Sequence, residues 1–314
     1  MGPACRSPEG SQIRWKNPVK HRVPSKESVE PGRPTFYLPG VRIRWSLFLA
    51  LAAIAAACPH PLEASPPPPV LHPQRIVSIN LVSDIILLDL VDPGRIVALS
   101  WLAADPDTSP VADRASGFPK TRGQVEAILP LKPDLVIGTL WGQDRTLKLL
   151  EQIRIPVHRI ELAQNYREIE STIRSLALAV GETERGESLI SRMHERLAAL
   201  RSSQEPPRGG AVWLSQAGFN NGENELSREI LLDAGWLPMG TGSYSLESLV
   251  IRPPGAVIEA RYQVDHPTLA SRLRQHPAVR NLPAQTLVIR LADFLSASHL
   301  TPSVSEELRK QSLP

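Results

Sequence analysis

Residues Arg75–Gly138 constrain the fold more than any other stretch of this chain. They read RIVSINLVSDIILLDLVDPGRIVALSW, then a polar span, then RGQVEAILPLKPDLVIG. Arg75–Ile79 and Arg95–Leu99 are short β-branched runs. The apolar segment between them, Leu81–Val91, is too long for a buried strand. A third run, Asp134–Gly138, follows a short helical segment closed by Lys132-Pro133. Strand, helix, strand, helix, strand, with apolar strands throughout, predicts a parallel sheet covered on both faces.

The rest of the chain repeats that rhythm. A helix Asp144–Ile153 and a strand Pro156–Ile160 complete a first lobe, residues 75–163. Residues 164–204 are predicted helical, broken once at Val180-Gly181-Glu182. In the second piece, Thr183–Gln204, Leu189, Ile190, Met193, Leu197 and Leu200 share one apolar face. At 1.5 Å per residue it spans about 33 Å, long enough to join two lobes or simply to cover one. Glu205-Pro206-Pro207-Arg208-Gly209-Gly210 marks a boundary. Beyond it, residues 205–314 read as strand Ala211–Leu214, helix Glu225–Ala234, a turn-rich stretch Pro238–Ser243 and a short helix Leu246–Val250. Strand Ala256–Glu259, helix Thr268–Gln275, strand Thr286–Ile289 and a closing helix over 301–312 follow. The expectation is an α/β protein of two doubly wound lobes with parallel sheets, facing one another across a helical bridge.

Charge and cysteine content narrow the function classes. The formal net charge is +3, but residues 1–64 hold 9 of the 35 Lys/Arg and 4 of the 32 Asp/Glu, leaving 26 against 28 for the remainder. A near-neutral body removes the main electrostatic argument for a nucleic-acid partner. Val41–Arg44 is a short basic region, and Trp45–Ala57 is a run of 13 apolar or small residues. That is too short for an ordinary transmembrane helix and right for the core of a signal peptide, here residues 41–64, so export is expected. Ala55-Ala56-Ala57-Cys58 is a lipobox-like end that would leave Cys58 as a lipid-anchored first residue. Ala55 stands where Leu is usual, and cleavage near Ala57 or Ala64 by the ordinary signal peptidase is the alternative. No cysteine follows Cys58, which rules out a disulfide framework or thiol nucleophile in the body. Residues 1–40 are polar and rich in Pro and basic residues. They read as a disordered or over-extended start, with initiation at Val41. Residues 65–74 form a Pro-rich tether in which Pro66–Pro69 act as a semi-rigid spacer.

A search for catalysis finds no G-x-S-x-G, H-E-x-x-H or P-loop pattern. Gly240-Thr241-Gly242 lacks a third glycine and a preceding strand, so it reads as a turn. His72, His158, His194, His266, His276 and His299 form no pair at metal-ligand spacing on a helix. A free-metal site would have to draw on His158, His266, Asp265 and Asp293. An exported α/β enzyme would have to take its base from Asp293, Asp265 or His266. No resident cofactor is expected.

Aromatic residues, by contrast, gather at one topological position. Open parallel sheets bind ligands beyond the carboxyl ends of their strands. Trp101 follows the Arg95–Ser100 strand, Trp141 follows Asp134–Gly138, Phe219 follows Ala211–Leu214 and Tyr262 follows Ala256–Glu259. Asp293-Phe294 follows Thr286–Ile289, and Tyr244 precedes the short second-lobe helix. Trp101, Trp141, Phe219, Tyr244, Tyr262 and Asp293 are therefore the candidate ligand residues. Such rings suit a large flat guest, each adding roughly 0.5–1.5 kcal/mol of stacking beyond its buried area. Trp213 and Trp236 are assigned to the core or lobe surface. Two glutamates make a second set: Glu126 in V-E-A-I-L and Glu247 in L-E-S-L-V, each near the start of a short helix, one per lobe. A carboxylate in a first turn is favourable by roughly 0.3–1 kcal/mol, which would explain either alone.

"RIVS-N" on the opening strand, "DPGRIVALS" some 20 residues later and "VEAILPLKPDLVIG" together resemble the periplasmic substrate-binding proteins of iron-chelate and vitamin B12 ABC importers. The resemblance covers roughly residues 75–295. It implies the class III fold, in which one long helix is the spine between lobes, and a non-enzymatic role. It also implies capture of cobalamin or a ferric siderophore between the lobes by a monomer that delivers to an inner-membrane permease and its ATPase. A haem or free-metal carrier is the alternative, and a signalling sensor would use the same fold. Trp101, Trp141 and Phe219 fall at or near the family's ligand-facing loops, with Trp141 a residue or two out of register. The B12-binding relative has an acidic residue followed by arginine after the last strand; Asp293 matches the first, and no arginine follows it. Through the same resemblance Glu126 and Glu247 become the residues that dock on basic pockets of the permease.

Overall fold

The two-residue period of a strand sorts the opening apolar run onto two faces. The computed structural model describes residues 72–202, 206–215, 218–220, 224–240, 242–262 and 268–312. In β1 (Ile76–Ser78), Ile76 enters one buried cluster and Val77 another. The expected signal peptide, Cys58, the 1–40 extension and most of the tether lie outside the described residues. Asn80 ends the strand region and caps α1 (Leu81–Leu90), its side-chain oxygen accepting from the Val82 amide at 2.9 Å. Burial of α1 almost all round explains its predominantly apolar sequence, and it encloses Ser83 and Asp84 as well. Then come β2 (Ile96–Ser100), α2 (Ala112–Ala115), β3 (Lys120–Thr121), α3 (Val125–Ile128), β4 (Leu135–Thr139), α4 (Asp144–Gln152) and β5 (Val157–Ile160). The five strands run parallel in the order β3-β2-β1-β4-β5, with Ile76 level with Leu135 and Ser78 with Ile137. α2 and β3 are additions to the sequence reading; elements of four and two residues are too short to carry a period.

Two helices follow. α5 (Tyr166–Val180) is capped by Asn165 and ended by Gly181 in the left-handed region at φ +75°; α6 (Thr183–Ser202) then follows as a single helix of 20 residues. Leu189, Ile190, Met193, Leu197 and Leu200 are all buried, the face its sequence marks. At its start Arg185 meets Asp92 beyond α1 at 2.9 Å.

The second sheet begins with β6 (Gly210–Ser215) and β7 (Gly218–Asn220). After α7 (Glu225–Asp233) come β8 (Leu237–Pro238), β9 (Ser243–Tyr244), α8 (Leu246–Ile251) and β10 (Ala256–Arg261). α9 (Leu269–Gln275), α10 (Pro277–Arg280), β11 (Gln285–Arg290), α11 (Leu291–Phe294) and α12 (Pro302–Gln311) complete the chain. The order is β11-β10-β6-β7-β9, with β8 beside β6. β11, β10, β6 and β8 are parallel, while β7 and β9 add an antiparallel margin that the sequence reading lacks. Two residues separate β6 from β7, whereas a parallel crossover needs a dozen or more, so β7 must run back.

At its far end α6 is tied to this second half. Arg201 forks onto Asp233 of α7 at 2.6 and 3.1 Å, and Arg196 onto Glu306 of α12 at 2.7 and 2.6 Å. α6 is thus the bridge between lobes. Further contacts join the halves. The Tyr166 amide donates to Glu229 of α7 at 2.9 Å, and residues 295–301 return to the first lobe, where His299 Nε2 lies 3.0 Å from Asp89. One face of each sheet feeds a single buried cluster. It runs from Ile76, Leu99 and Ile137 through Ile173, Ala177, Leu189 and Met193 to Trp213, Ile258 and Leu308. The opposite faces keep separate, smaller cores.

The closest approach of α5 and α6 depends on Gly186, where an added Cβ would lie 2.5 Å from the Ala177 Cβ. Gly186→Val is expected to lower stability by about 1–3 kcal/mol through overpacking. Urea unfolding checks this, and an unchanged midpoint would show that the pair can part without loss.

Candidate functional site

The carboxyl ends of the first sheet's strands carry the most exposed indoles of the described residues. Trp101 directly follows β2 and is 45% exposed; Trp141 follows β4 by one residue and is 77% exposed. In the strand order they flank the end of β1. The Trp141 loop is pinned from within. Gln143 accepts from the Thr139 amide at 3.0 Å, and its own amide donates to the Ile79 carbonyl. Trp101 has a companion that sequence reasoning missed: the Arg122 guanidinium lies 5.0 Å from the centre of its ring. Arg122 leaves the end of β3, just before Gly123 turns the chain at φ +81°. It makes no ion pair among the described residues. Its only sequence signal was its place after β3, itself too short to read.

Beneath Trp101 lies a buried carboxyl. Asp84 of α1 is fully buried and accepts from the Ser100 amide at 3.2 Å and from the Ser100 hydroxyl, at the last residue of β2. Burial pushes its pKa up to about 7, against the opposing pull of hydrogen bonds from Ser100 and Ser78 and the charge of Lys120.

The second lobe's candidates divide. Tyr262 follows β10 and is half-buried. Asp293 sits in α11 after β11, forked onto Arg290 at 2.9 and 2.7 Å. The arginine partner therefore precedes the acid instead of following it. Close to Tyr262, the buried Glu259 of β10 receives both Arg261, at 2.6 Å, and Arg274 of α9. Phe219 is a correction. It is only 3% exposed and packs with Val212, Leu214 and Leu249, because β7 turns back at once and sets it opposite Leu214 inside the sheet's outer core. Tyr244 pairs with Phe219 across the next ladder, packs against the same cluster and donates its hydroxyl to the Met239 carbonyl. That contact fixes a turn within the lobe. Trp213 and Trp236 are buried in the shared core.

Among the described residues no three His, Cys, Asp or Glu side chains converge on a point. His158 faces Ser175 at 3.2 Å, Asp293 is spent on Arg290, and Asp265 and His266 lie outside the described residues.

Glu126 and Glu247 are both exposed, in the first turns of α3 and α8. Glu126 lies nine residues ahead of Leu135, the first residue of β4; Glu247 lies nine ahead of Ala256, the first of β10. β4 and β10 each pair in parallel with the opening strand of their sheet, at Ile76–Leu135 and Ala211–Ala256. The two glutamates thus occupy the same place in two like-built units.

Two open-ended sheets joined by a long helix, with exposed indoles at the strand ends of the first, have the architecture of a two-lobed binding protein. Residues 76–285 match the family model for periplasmic binding proteins, and the chain belongs to that family. Among solved structures it is similar to a periplasmic heme binding protein from Pseudomonas aeruginosa, at 24% identity and a TM-score of 0.57, over 76% of this chain and 91% of that one. The periplasmic heme binding protein HutB of Vibrio cholerae matches at 18% identity and 0.63, over 77% and 99%. The periplasmic vitamin B12 binding protein BtuF of Vibrio cholerae matches at 19% and 0.53, over 76% and 96%. These likenesses establish the fold. No curated protein matches.

The raised pKa of Asp84 has a measurable consequence. Its carboxyl titrates from 3.8 in the unfolded chain and about 7 in the folded one, so the folded state holds the extra proton between them. Its contribution to stability is full at low pH and falls as pH rises through that window, by up to about 1.4 kcal/mol per unit. Asp84→Asn mimics the neutral form and should flatten that fall. Guanidinium unfolding between pH 4 and 8 tests it, and parallel profiles for the two proteins would refute it.

Proposed function

We propose that this chain is the exported substrate-binding component of an ABC importer, capturing a metal chelate between its lobes without chemical change. The observation that carries the reading is the pair of exposed indoles, Trp101 and Trp141, at the carboxyl ends of β2 and β4. Rings left in water at the ligand end of an open sheet are surfaces for stacking a broad, flat guest. Tyr262 and Asp293 serve from the second lobe, with Asp293 locked to Arg290. The guest is cobalamin, a ferric siderophore or haem. Arg122 over Trp101 favours a guest with an acidic edge, which haem and catecholate chelates carry, and two of the similar structures named above are heme binding proteins. The protein works in the periplasm as a monomer, held at the membrane if Cys58 is lipidated. Glu126 and Glu247 orient it on the permease, whose ATPase drives release. Such rim charges set association rate more than affinity.

Thermal-shift and tryptophan-fluorescence titrations with haemin, cyanocobalamin and ferric siderophores test the reading. The true ligand at a hundredfold excess over Kd should stabilise the protein by about 2.7 kcal/mol. Trp101→Ala should weaken it at least tenfold, about 1.4 kcal/mol or more. Binding to none of the three classes, or binding indifferent to Trp101 and Trp141, would end the proposal. The bridging helix and the contacts beside it also imply modest closure, so small-angle scattering should change little on loading.

A further inference from the structure

The two glutamates do not stand alone on their helices. In α3 and the turn after it, Val125 and Ile128 pack inward against the first lobe's outer core. This leaves Glu126, Leu129 and Pro130 exposed, Leu129 by 42%. In α8, Leu246 and Leu249 pack inward against the second lobe's outer core. This leaves Glu247, Val250 and Ile251 exposed, the last two by 55% and 81%. In both lobes the carboxylate and the apolar pair stand at i, i+3 and i+4; in α8 all three share one helical turn, and in the first lobe Leu129 and Pro130 open the 3-10 turn that continues α3. The units stay in register at four further positions: Ile128 matches Leu249, Leu129 matches Val250, Pro130 matches Ile251 and the buried Pro133 matches Pro254, all 121 residues apart. A hydration cost repeated at equivalent positions in two lobes that otherwise differ is a feature of both surfaces, not a local packing accident.

We infer that each lobe docks through a carboxylate with an apolar shoulder, and that Val250 and Ile251 supply most of the affinity for the permease. This rests on the carrier reading above. The occupant is the periplasmic face of a permease built of two like subunits, each offering a cation beside an apolar socket. Charge and geometry divide the work: Glu126 and Glu247 steer the encounter, and the shoulders, dehydrated only on contact, hold the complex. The second lobe contributes more because Ile251 and Val250 expose more than Leu129.

The test uses the cognate permease–ATPase complex in lipid nanodiscs and the full chain, with binding kinetics followed over a salt series. Val250→Ser with Ile251→Ser should raise Kd at least tenfold through faster dissociation, with association and salt dependence kept. Glu126→Gln with Glu247→Gln should slow association and flatten the salt dependence, with dissociation less affected. All four residues are exposed, and unchanged thermal unfolding confirms that the variants fold. Wild-type dissociation in the serine pair, with association lost in the glutamine pair, leaves the carrier reading standing and overturns the shoulder. Full binding by both pairs, or no binding by the parent chain, overturns both. A parent chain that self-associates in sedimentation while the serine pair does not would make a second copy the occupant and also overturn the inference.

Discussion

Everything in this molecule depends on the apolar seam along α5 and α6. One face of each sheet is buried against it, and the buried cluster passes from Ile76 through Ile173 and Met193 to Ile258 without a break. Its contribution is non-directional and scales with area, roughly 25 cal/mol for each Å² of apolar surface removed from water. Two lobes that share a core cannot separate as freely as lobes on a flexible linker. The polar ties reinforce the seam at its ends, with Arg185 on Asp92 at one and Arg201 on Asp233 at the other. These pairs are partly exposed and set direction more than they add stability.

That rigidity shapes what the strand ends can do. A recognition surface on a stiff scaffold loses less freedom when it binds, so exposed rings can be held ready. Trp101 shows how. The residue before it, Ser100, is anchored through both its amide and its hydroxyl to Asp84 inside α1. Trp141 is less confined, held through Thr139 and Gln143 at the root of its loop. Under the proposed function, two indoles with unequal restraint at the carboxyl end of one sheet would grip a guest firmly on one side and accommodate it on the other.

The parallel sheets, the bridging helix and its buried face were legible because long periodic segments carry their own signal. Leu189, Ile190, Met193, Leu197 and Leu200 face inward as their spacing requires. What escaped was short or non-local. β7 and β9 have three and two residues, so nothing in them announced an antiparallel margin, although the two-residue gap after β6 was a clue. Phe219 was misplaced for the same reason. A ring just after a strand is at the ligand end only if the chain does not fold back into the sheet. Arg122 escaped because its meaning comes from Trp101, some 20 residues earlier, and no pattern links them.

The matching glutamates illustrate how a pairing read in the sequence is extended once the strand register is known. V-E-A-I-L and L-E-S-L-V match locally in the sequence, yet helix-dipole complementarity would account for a first-turn carboxylate in each. The pairing of β4 with β1 and of β10 with β6 fixes the comparison, and then the exposed residues that follow each glutamate align as well. A dipole requires the carboxylate and nothing three or four residues on. Water, acting alone, would favour polar residues at Leu129, Val250 and Ile251. The docking inference accounts for their apolar character in both lobes, since a single partner would take the water's place at each.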